Sequence, residues 1–237
     1  MAQLLFIRHG QASFGADNYD KLSALGQLQA RAVGRELLGS DRLPSMAFSG
    51  HLTRQRHTAD IALREAGSDI QANALQAFDE YDAEGIFSSY LPEVLDDYPE
   101  IRERITPSDF SALKDPGVFR TLFYPVMHKW ISGADPGDTP IEPWKEFRER
   151  VLAGVSQISA GLIDGQTATV FTSGGVISVI MTHVLRLQAI DSVDFNWRTA
   201  NGSITSFFVT QQGLELHKHN HDEHLKDSAA GLRVTFM

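Results

Sequence analysis

Short apolar runs, each followed by a stretch of helical periodicity, constrain the fold of this chain more than any other feature. Residues 4–7 (LLFI), Met46–Ser49 and Thr167–Thr172 are mostly apolar or β-branched, as strands are when a parallel sheet is covered on both faces. Strands that alternate with helices form α/β folds. We therefore predict a three-layer sandwich, in which a mostly parallel sheet has helices on both faces.

Helical spacing follows each of these runs. Ser23 is placed as an N-cap before apolar residues that recur three and four positions apart. Further helices are predicted after Gly50-His51, from about residue 144 to 162 and over residues 176–187. Residues 203–217 contain a Gln-Gln-Gly turn between two strand-like runs and predict a β-hairpin.

The composition changes between about residues 81 and 143, where all the prolines except Pro44 lie. We expect residues 83–143 to form an inserted cap of short helices and loops in a single domain that spans residues 1–237. An apolar stripe between residues 119 and 130 predicts a helix that Pro125 kinks or ends early. The insertion is the best candidate for shaping a substrate site, although an ordinary helical elaboration fits the composition equally well.

Charge and cysteine content exclude several classes of function. The chain has 237 residues, a formal net charge of −9 and no basic run, so its general field does not favour nucleic acid or an anionic membrane. It has no cysteine, which excludes a thiolate nucleophile and a Cys-ligated metal. No apolar run is long enough to span a bilayer, and the first residues lack a signal-peptide pattern. We expect a cytoplasmic protein with no membrane or nucleic-acid partner.

Chemically active side chains follow three of the predicted strands. Arg8-His9 follows the first, Arg54 lies in the opening turn of a helix after the second, and Ser173-Gly174-Gly175 opens a helix after the third. Open α/β sheets bind ligands beyond the carboxyl ends of their strands, and guanidinium groups beside a helix N-terminus favour phosphate. A neutral His9 there can attack phosphorus, and a nearby carboxylic acid would protonate the leaving oxygen. Each residue taken alone also fits an ordinary loop or helix surface.

The segment Ile7-Arg8-His9-Gly10-Gln11 resembles the signature of the histidine phosphatase superfamily, which is also called phosphoglycerate-mutase-like. Six further stretches are similar to the family pattern in the same order, and the resemblance covers the chain outside about residues 83–140. Those stretches are Tyr19 to Ala30, Leu52 to Ala59, Glu80 to Asp82, Glu142 to Val151, Asn201 to Ser203 and Asn220 to Leu225.

The resemblance implies a role for each matching residue. His9 would be the nucleophile that becomes phosphorylated, Arg8 and Arg54 would hold the phosphate, and Glu80 would be the general acid. Asp79, Asp82 and Glu84 lie nearby and are alternatives for that acid. The implied activity is hydrolysis of a phosphomonoester without a metal or organic cofactor, on a small phosphorylated molecule or with inorganic phosphate as the bound anion.

Ser173 departs from the family pattern, which has a second pocket histidine at this position. We expect Ser173 and the N–H group of Gly174 to contact the phosphate, unless Ser173 is simply a helix N-cap. Loss of one preorganised donor to a transition state typically costs about 2.7–4 kcal/mol. The sequence therefore predicts a weakened phosphatase. A phosphate-binding or regulatory protein without turnover is the alternative, and a phosphomutase is less favoured because it needs a complete pocket.

The histidines near the C-terminus form a second pattern. In an extended segment, His217, His219 and His221 share one face, which would suit a row of metal ligands. The same stretch resembles the C-terminal strand and loop of the family, so we expect no metal at this row.

Overall fold

A six-stranded mixed sheet forms the centre of the fold, with the strand order β3-β2-β4-β1-β5-β6. The computed structural model describes residues 1–13, 20–40, 42–105 and 111–236. Tyr19, which is part of the resemblance described above, lies outside these residues, as do residues 106–110 of the expected insertion. The strands are β1 (Ala2–Arg8), β2 (Met46–Ser49), β3 (Asn73–Ala74), β4 (Thr167–Thr172), β5 (Ile204–Thr210) and β6 (Gly213–His221).

Helices occupy both faces of this sheet, so the predicted α/β sandwich is confirmed. Within the described residues the α-helices are α1 (Ala24–Gly39), α2 (Thr53–Glu65), α3 (Ala83–Val94), α4 (Pro99–Arg102), α5 (Pro116–Ser132), α6 (Trp144–Gly161), α7 (Gly174–Val184) and α8 (Ser192–Arg198). Short 3₁₀ turns include Gln76–Phe78 and Glu223–Leu225.

Strand β1 is the centre of the hydrophobic core, because its side chains are covered on both faces. Leu5 and Ile7 pack with Val33 of α1 and Ala59 of α2 in one buried cluster. On the opposite face, the ring of Phe6 makes edge-to-face contacts with Phe78 and Phe207, at centroid distances of 6.1 and 5.9 Å. Such pairs add stability beyond the area they bury.

Strand register places the candidate residues at one edge of the sheet. Strands β1 and β4 run parallel with Arg8 opposite Thr172, and β2 runs parallel to β4 with Ser49 opposite Phe171. The carboxyl ends of three parallel strands therefore meet, and the residues that follow them lie together, as the alternation of strands and helices predicts.

The chain divides into two compact units. The first comprises Met1–Glu80 and Arg150–Met237, and the second comprises Tyr81–Glu149. The second unit has its own aromatic cluster, in which the Trp130 ring lies 5.0 Å from Tyr81 and 5.1 Å from Trp144. The expected insertion at residues 83–143 falls inside this unit, and its role as a substrate-shaping cap stays a prediction.

Pro125 does not end its helix, in contrast to one of the two outcomes expected from the sequence. Helix α5 continues through it to Ser132 and is capped by Gly133 in the left-handed conformation, with φ of 75°. Proline removes one backbone donor, but Leu122, Val126 and Trp130 are buried on either side of it. Their packing keeps the helix intact, because tertiary burial overrides local propensity.

The described part of the chain contains no helix that is long and apolar enough to cross a membrane.

We predict that Gly26→Ala destabilises the protein by about 1–3 kcal/mol, the usual cost of overpacking. Helix α1 begins at Ser23, whose hydroxyl accepts from the Gly26 N–H at 3.0 Å, and a Cβ at Gly26 would overlap the backbone carbonyl of Gln11. Gly39→Ala in the same helix is the control, since a Cβ there meets nothing within 4 Å. Urea unfolding of both variants checks this, and an equal effect of the two would contradict the close approach.

Candidate active site

Backbone hydrogen bonds hold His9 at the end of β1. The His9 N–H donates to the Thr172 carbonyl at 2.8 Å, which extends the β1–β4 ladder by one residue. The His9 carbonyl accepts from the Gly202 N–H at 3.2 Å and from the Asn201 side-chain amide at 3.3 Å. Two separate segments therefore fix the backbone of this residue, which is only 5% exposed.

The tautomer of His9 follows from its two ring contacts. Nδ1 lies 2.7 Å from the Gly10 carbonyl oxygen, and a carbonyl can only accept, so Nδ1 carries the proton. Nε2 lies 3.2 Å from the Arg54 Nε, which donates to it. The lone pair is therefore on Nε2 and points at the guanidinium of Arg54, where an anion bound to that arginine would lie.

The charge state of His9 is also set by its surroundings. Burial is the largest cause that lowers the pKa of the imidazole well below 6.5, and the positive charges of Arg54 and then Arg8 lower it further. The hydrogen bond to the Gly10 carbonyl opposes this shift. The ring is consequently neutral at pH 7, which is the form that acts as a nucleophile.

Asp20 positions Arg54, although no role was expected for it from the sequence. Its Oδ1 lies 2.8 Å from the Arg54 Nη1, and its Oδ2 accepts from the Thr53 N–H at 2.7 Å. Partial burial raises the pKa of this carboxyl, but the hydrogen bonds from Thr53 and the charge of Arg54 outweigh it and lower the pKa overall. Asp20 thus holds the first turn of α2 and its arginine together.

Thr58 ties the same helix to the loop after β1. Its hydroxyl accepts from the Gly10 N–H at 3.1 Å and donates to the Arg54 carbonyl at 2.7 Å. This side chain lies one turn after Arg54, so it fixes the distance between His9 and Arg54. In the sequence, the spacing of four residues between Arg54 and Thr58 is the only signal for this positioning role of Thr58.

Arg8 is buried beside His9, and a hydrogen bond fixes the guanidinium end of its side chain. Its guanidinium Nη1 donates to the Thr199 carbonyl, at the C-terminal end of α8. A helix C-terminus attracts a cation through its carbonyl groups, so this contact stabilises the charge that acts on the His9 ring. The structure therefore brings Arg8, His9 and Arg54 together, as the strand ends predict.

Ser173 is completely buried and its hydroxyl accepts from the Gln55 side-chain amide at 2.8 Å. The same amide nitrogen donates to the Phe78 carbonyl at 3.0 Å. Ser173 stands at the N-cap position of α7, but its hydroxyl makes no capping hydrogen bond to the helix. The N-cap alternative therefore accounts for the position of Ser173 and not for the contact that its hydroxyl makes. Gln55 fills the space beside it, which the sequence alone does not reveal.

Glu80 lies at the N-terminus of α7. Its Oε2 accepts from the Gly175 N–H at 3.0 Å, a hydrogen bond that a carboxyl oxygen can accept in either protonation state. A Cβ at Gly174 would overlap the Oδ1 of the Asn196 side chain, so a larger residue there requires Asn196 to move. The structure thus places Glu80, Ser173 and Gly174 at the carboxyl end of β4, the strand next to that of His9.

A comparison with known protein families shows which family the chain belongs to. The family model of the histidine phosphatase superfamily (branch 1) matches residues 4–117 and 120–222. The chain belongs to the histidine phosphatase superfamily. A curated relative is a 2,3-bisphosphoglycerate-dependent phosphoglycerate mutase of Tropheryma whipplei, 35% identical over 71 residues. That match covers 27% of this chain and only 32% of the mutase.

Solved structures share the fold of this superfamily member over nearly its whole length. YhfR of Bacillus stearothermophilus is 15% identical with a TM-score of 0.66, and the match covers 94% of this chain and 99% of that one. A phosphoserine phosphatase of Entamoeba histolytica, solved with phosphoserine, is 17% identical with a TM-score of 0.60 and coverages of 95% and 100%. A mycobacterial glucosyl-3-phosphoglycerate phosphatase with inorganic phosphate is 20% identical, with a TM-score of 0.58 and coverages of 92% and 96%.

We predict that His9 titrates below pH 6.5 in the folded protein, because burial and two guanidinium groups disfavour the imidazolium. NMR of the labelled histidine ring checks this. Arg54→Gln removes one of the two charges and should raise the midpoint towards 6.5. Because the pKa of His9 is lower in the folded protein than in the unfolded chain, its contribution to the free energy of unfolding is complete above the pKa of the unfolded chain. That contribution is lost as the pH falls below this value. A midpoint at or above 6.5 in the wild type would contradict the described environment.

Proposed function

We propose that this protein hydrolyses a phosphomonoester through a phosphohistidine intermediate at His9. The observation that carries the proposal is the lone pair on Nε2 of a buried, neutral imidazole, aimed at the guanidinium of Arg54. A phosphoryl group held by Arg54 and Arg8 would lie beside this nitrogen. The arginines would balance the charge that develops on its oxygens.

The reaction would proceed in two displacements. The Nε2 lone pair of His9 attacks phosphorus, the bond from phosphorus to the ester oxygen breaks, and Glu80 in its acid form gives a proton to the leaving oxygen. Glu80, now a carboxylate, then takes a proton from water as the water oxygen attacks phosphorus. The P–N bond breaks, its electron pair returns to Nε2, and inorganic phosphate is released. No metal or organic cofactor is required for either displacement.

Ser173 sets the expected rate of this reaction. Its hydroxyl retains one hydrogen to donate to a phosphate oxygen, while its lone pair is engaged by Gln55. A neutral hydroxyl supplies less stabilisation to a dianion than an imidazolium would, because it lacks the Coulomb attraction between opposite charges. We therefore propose slow turnover, with phosphate binding that rests chiefly on the two arginines.

A binding protein without turnover is the second candidate, and the buried Ser173–Gln55 contact is the observation that favours it. The neutral pair occupies the place next to the N-terminus of α7, where a stronger catalyst would need a cation. A phosphomutase is the third candidate, and the partial match to a phosphoglycerate mutase favours it. Three further points stay predictions: that the substrate is a small phosphorylated molecule, that the protein is cytoplasmic, and that residues 83–143 form a cap that shapes the substrate site.

The first test is the phosphoenzyme. After incubation with a reactive phosphate ester, we expect acid-labile phosphate on the wild type and none on His9→Ala, together with loss of turnover. His57→Ala removes an exposed histidine of α2 and should retain both the phosphoenzyme and the turnover.

Inorganic phosphate as the only phosphorylated product would exclude the mutase. Equal hydrolysis by the wild type and His9→Ala would overturn the phosphatase, while binding of vanadate without any His9-dependent turnover would favour the binding protein.

The second test restores the histidine that Ser173 replaces. A histidine at 173 would meet the amide of Gln55, so the variant Ser173→His/Gln55→Thr provides the room for it. We expect tighter vanadate binding and turnover faster by up to about 10²–10³, the usual effect of one preorganised donor, relative to Gln55→Thr alone. Ser173→His alone should gain less. If the double variant is no faster than Gln55→Thr, then position 173 does not face the phosphate.

A further inference from the structure

A cluster of possible metal ligands lies apart from the residues of the candidate active site. Glu36 of α1, His221 at the end of β6 and His224 in the turn Glu223–Leu225 each offer one ligand atom, and these atoms lie within 4.8 Å of one another. Among the described residues, no other group of three or more such side chains is close enough to hold a metal ion. We propose that this cluster is a zinc site.

The protonation of His224 supports the proposal most strongly. Its Nε2 lies 2.9 Å from the Gly202 carbonyl oxygen, so Nε2 must carry the proton and Nδ1 must carry the lone pair. Nδ1 is buried and has no hydrogen-bond partner among the described residues. Metal-ligating histidines typically donate their other N–H to a carbonyl or carboxylate in this way.

The unpartnered Nδ1 of His224 favours a cation at this position. A metal binds the neutral form of an imidazole, in which Nδ1 keeps its lone pair. A buried lone pair without a donor is costly, and a cation at Nδ1 would remove that cost.

His221 and Glu36 complete the cluster. The His221 Nε2 lies 2.9 Å from the Glu36 Oε1, and the two side chains are only 11% and 26% exposed. The rings of His221 and His224 have their centroids 5.5 Å apart. In a tetrahedral zinc site with bond lengths of about 2.0–2.2 Å, ligand atoms lie about 3.3–3.5 Å apart. Small rotations of these side chains would reach that spacing, with zinc in place of the proton between His221 and Glu36.

The types of ligand in this cluster favour zinc over other divalent metals. Two imidazoles and one carboxylate are borderline ligands that suit zinc better than magnesium or calcium, which prefer oxygen alone. Three protein ligands leave the fourth tetrahedral position for water. The cluster shares only His221 with the row of histidines in the sequence, because His217 and His219 pack against Phe208 and Phe195 instead.

The position of the cluster explains what a metal would do. It would join α1 to the end of β6 and to the turn that follows it. His224 bonds to Gly202, whose N–H donates to the Arg8 and His9 carbonyls at 3.0 and 3.2 Å. Zinc would therefore stabilise the segment that supports the backbone of the nucleophile, without taking part in the reaction.

The test is titration of the metal-free full-length chain with zinc chloride by calorimetry. We expect one zinc per chain, and binding weakened at least tenfold in His224→Ala and in Glu36→Gln. Glu36→Gln still offers an acceptor to His221 and guards against a folding defect. His217→Ala, from the exposed part of β6, and His9→Ala should bind zinc like the wild type. Cobalt should give the visible absorption bands of tetrahedral coordination in the wild type and in these two controls, and not in His224→Ala or Glu36→Gln.

Thermal unfolding provides a second readout. Zinc should raise the unfolding midpoint of the wild type and of His217→Ala, since a ligand that binds only the folded state stabilises it, and should leave Glu36→Gln unchanged. Absence of zinc binding at about 100 μM would overturn the proposal. It would also be overturned if His217→Ala or His9→Ala lost binding while Glu36→Gln and His224→Ala retained it. None of these outcomes depends on phosphatase activity.

Discussion

The hydrogen bond from Nδ1 of His9 to the Gly10 carbonyl is the interaction on which the site depends. Because this bond fixes the proton on Nδ1, it leaves the lone pair on Nε2 and directs it at Arg54. The loop that carries the bond is in turn held against the first turn of α1 at Gly26, where no side chain fits. Burial then keeps the ring neutral. The tautomer and the direction of the nucleophile thus have one structural origin.

The site shows a compromise between stability and electrostatics at position 173. A histidine cation there would repel Arg8 and Arg54 until an anion bound, since like charges in a buried site are costly. The Ser173–Gln55 pair satisfies its polar atoms without adding charge. This arrangement favours a stable unliganded protein at the expense of transition-state stabilisation, which is why we propose slow turnover.

The sequence predicts those features that have a local signal. The apolar run of β1, the N-cap at Ser23 and the arginine in the first turn of α2 are all local, and the family resemblance placed them in order. The positioning roles of Asp20 and Gln55 could not be predicted, because their partners Arg54 and Ser173 are 34 and 118 residues away. The continuation of α5 through Pro125 could not be predicted either, because the neighbours of Pro125 are buried on a face that only the tertiary structure defines.

Phosphorus NMR of the intact, labelled phosphoenzyme tests the central claim most directly, because phosphate on Nε2 and phosphate on Nδ1 of histidine give distinct signals. The environment of His9 predicts a single signal from an Nε2 phosphohistidine. A signal from Nδ1, or from a phosphorylated residue other than His9, would contradict the account.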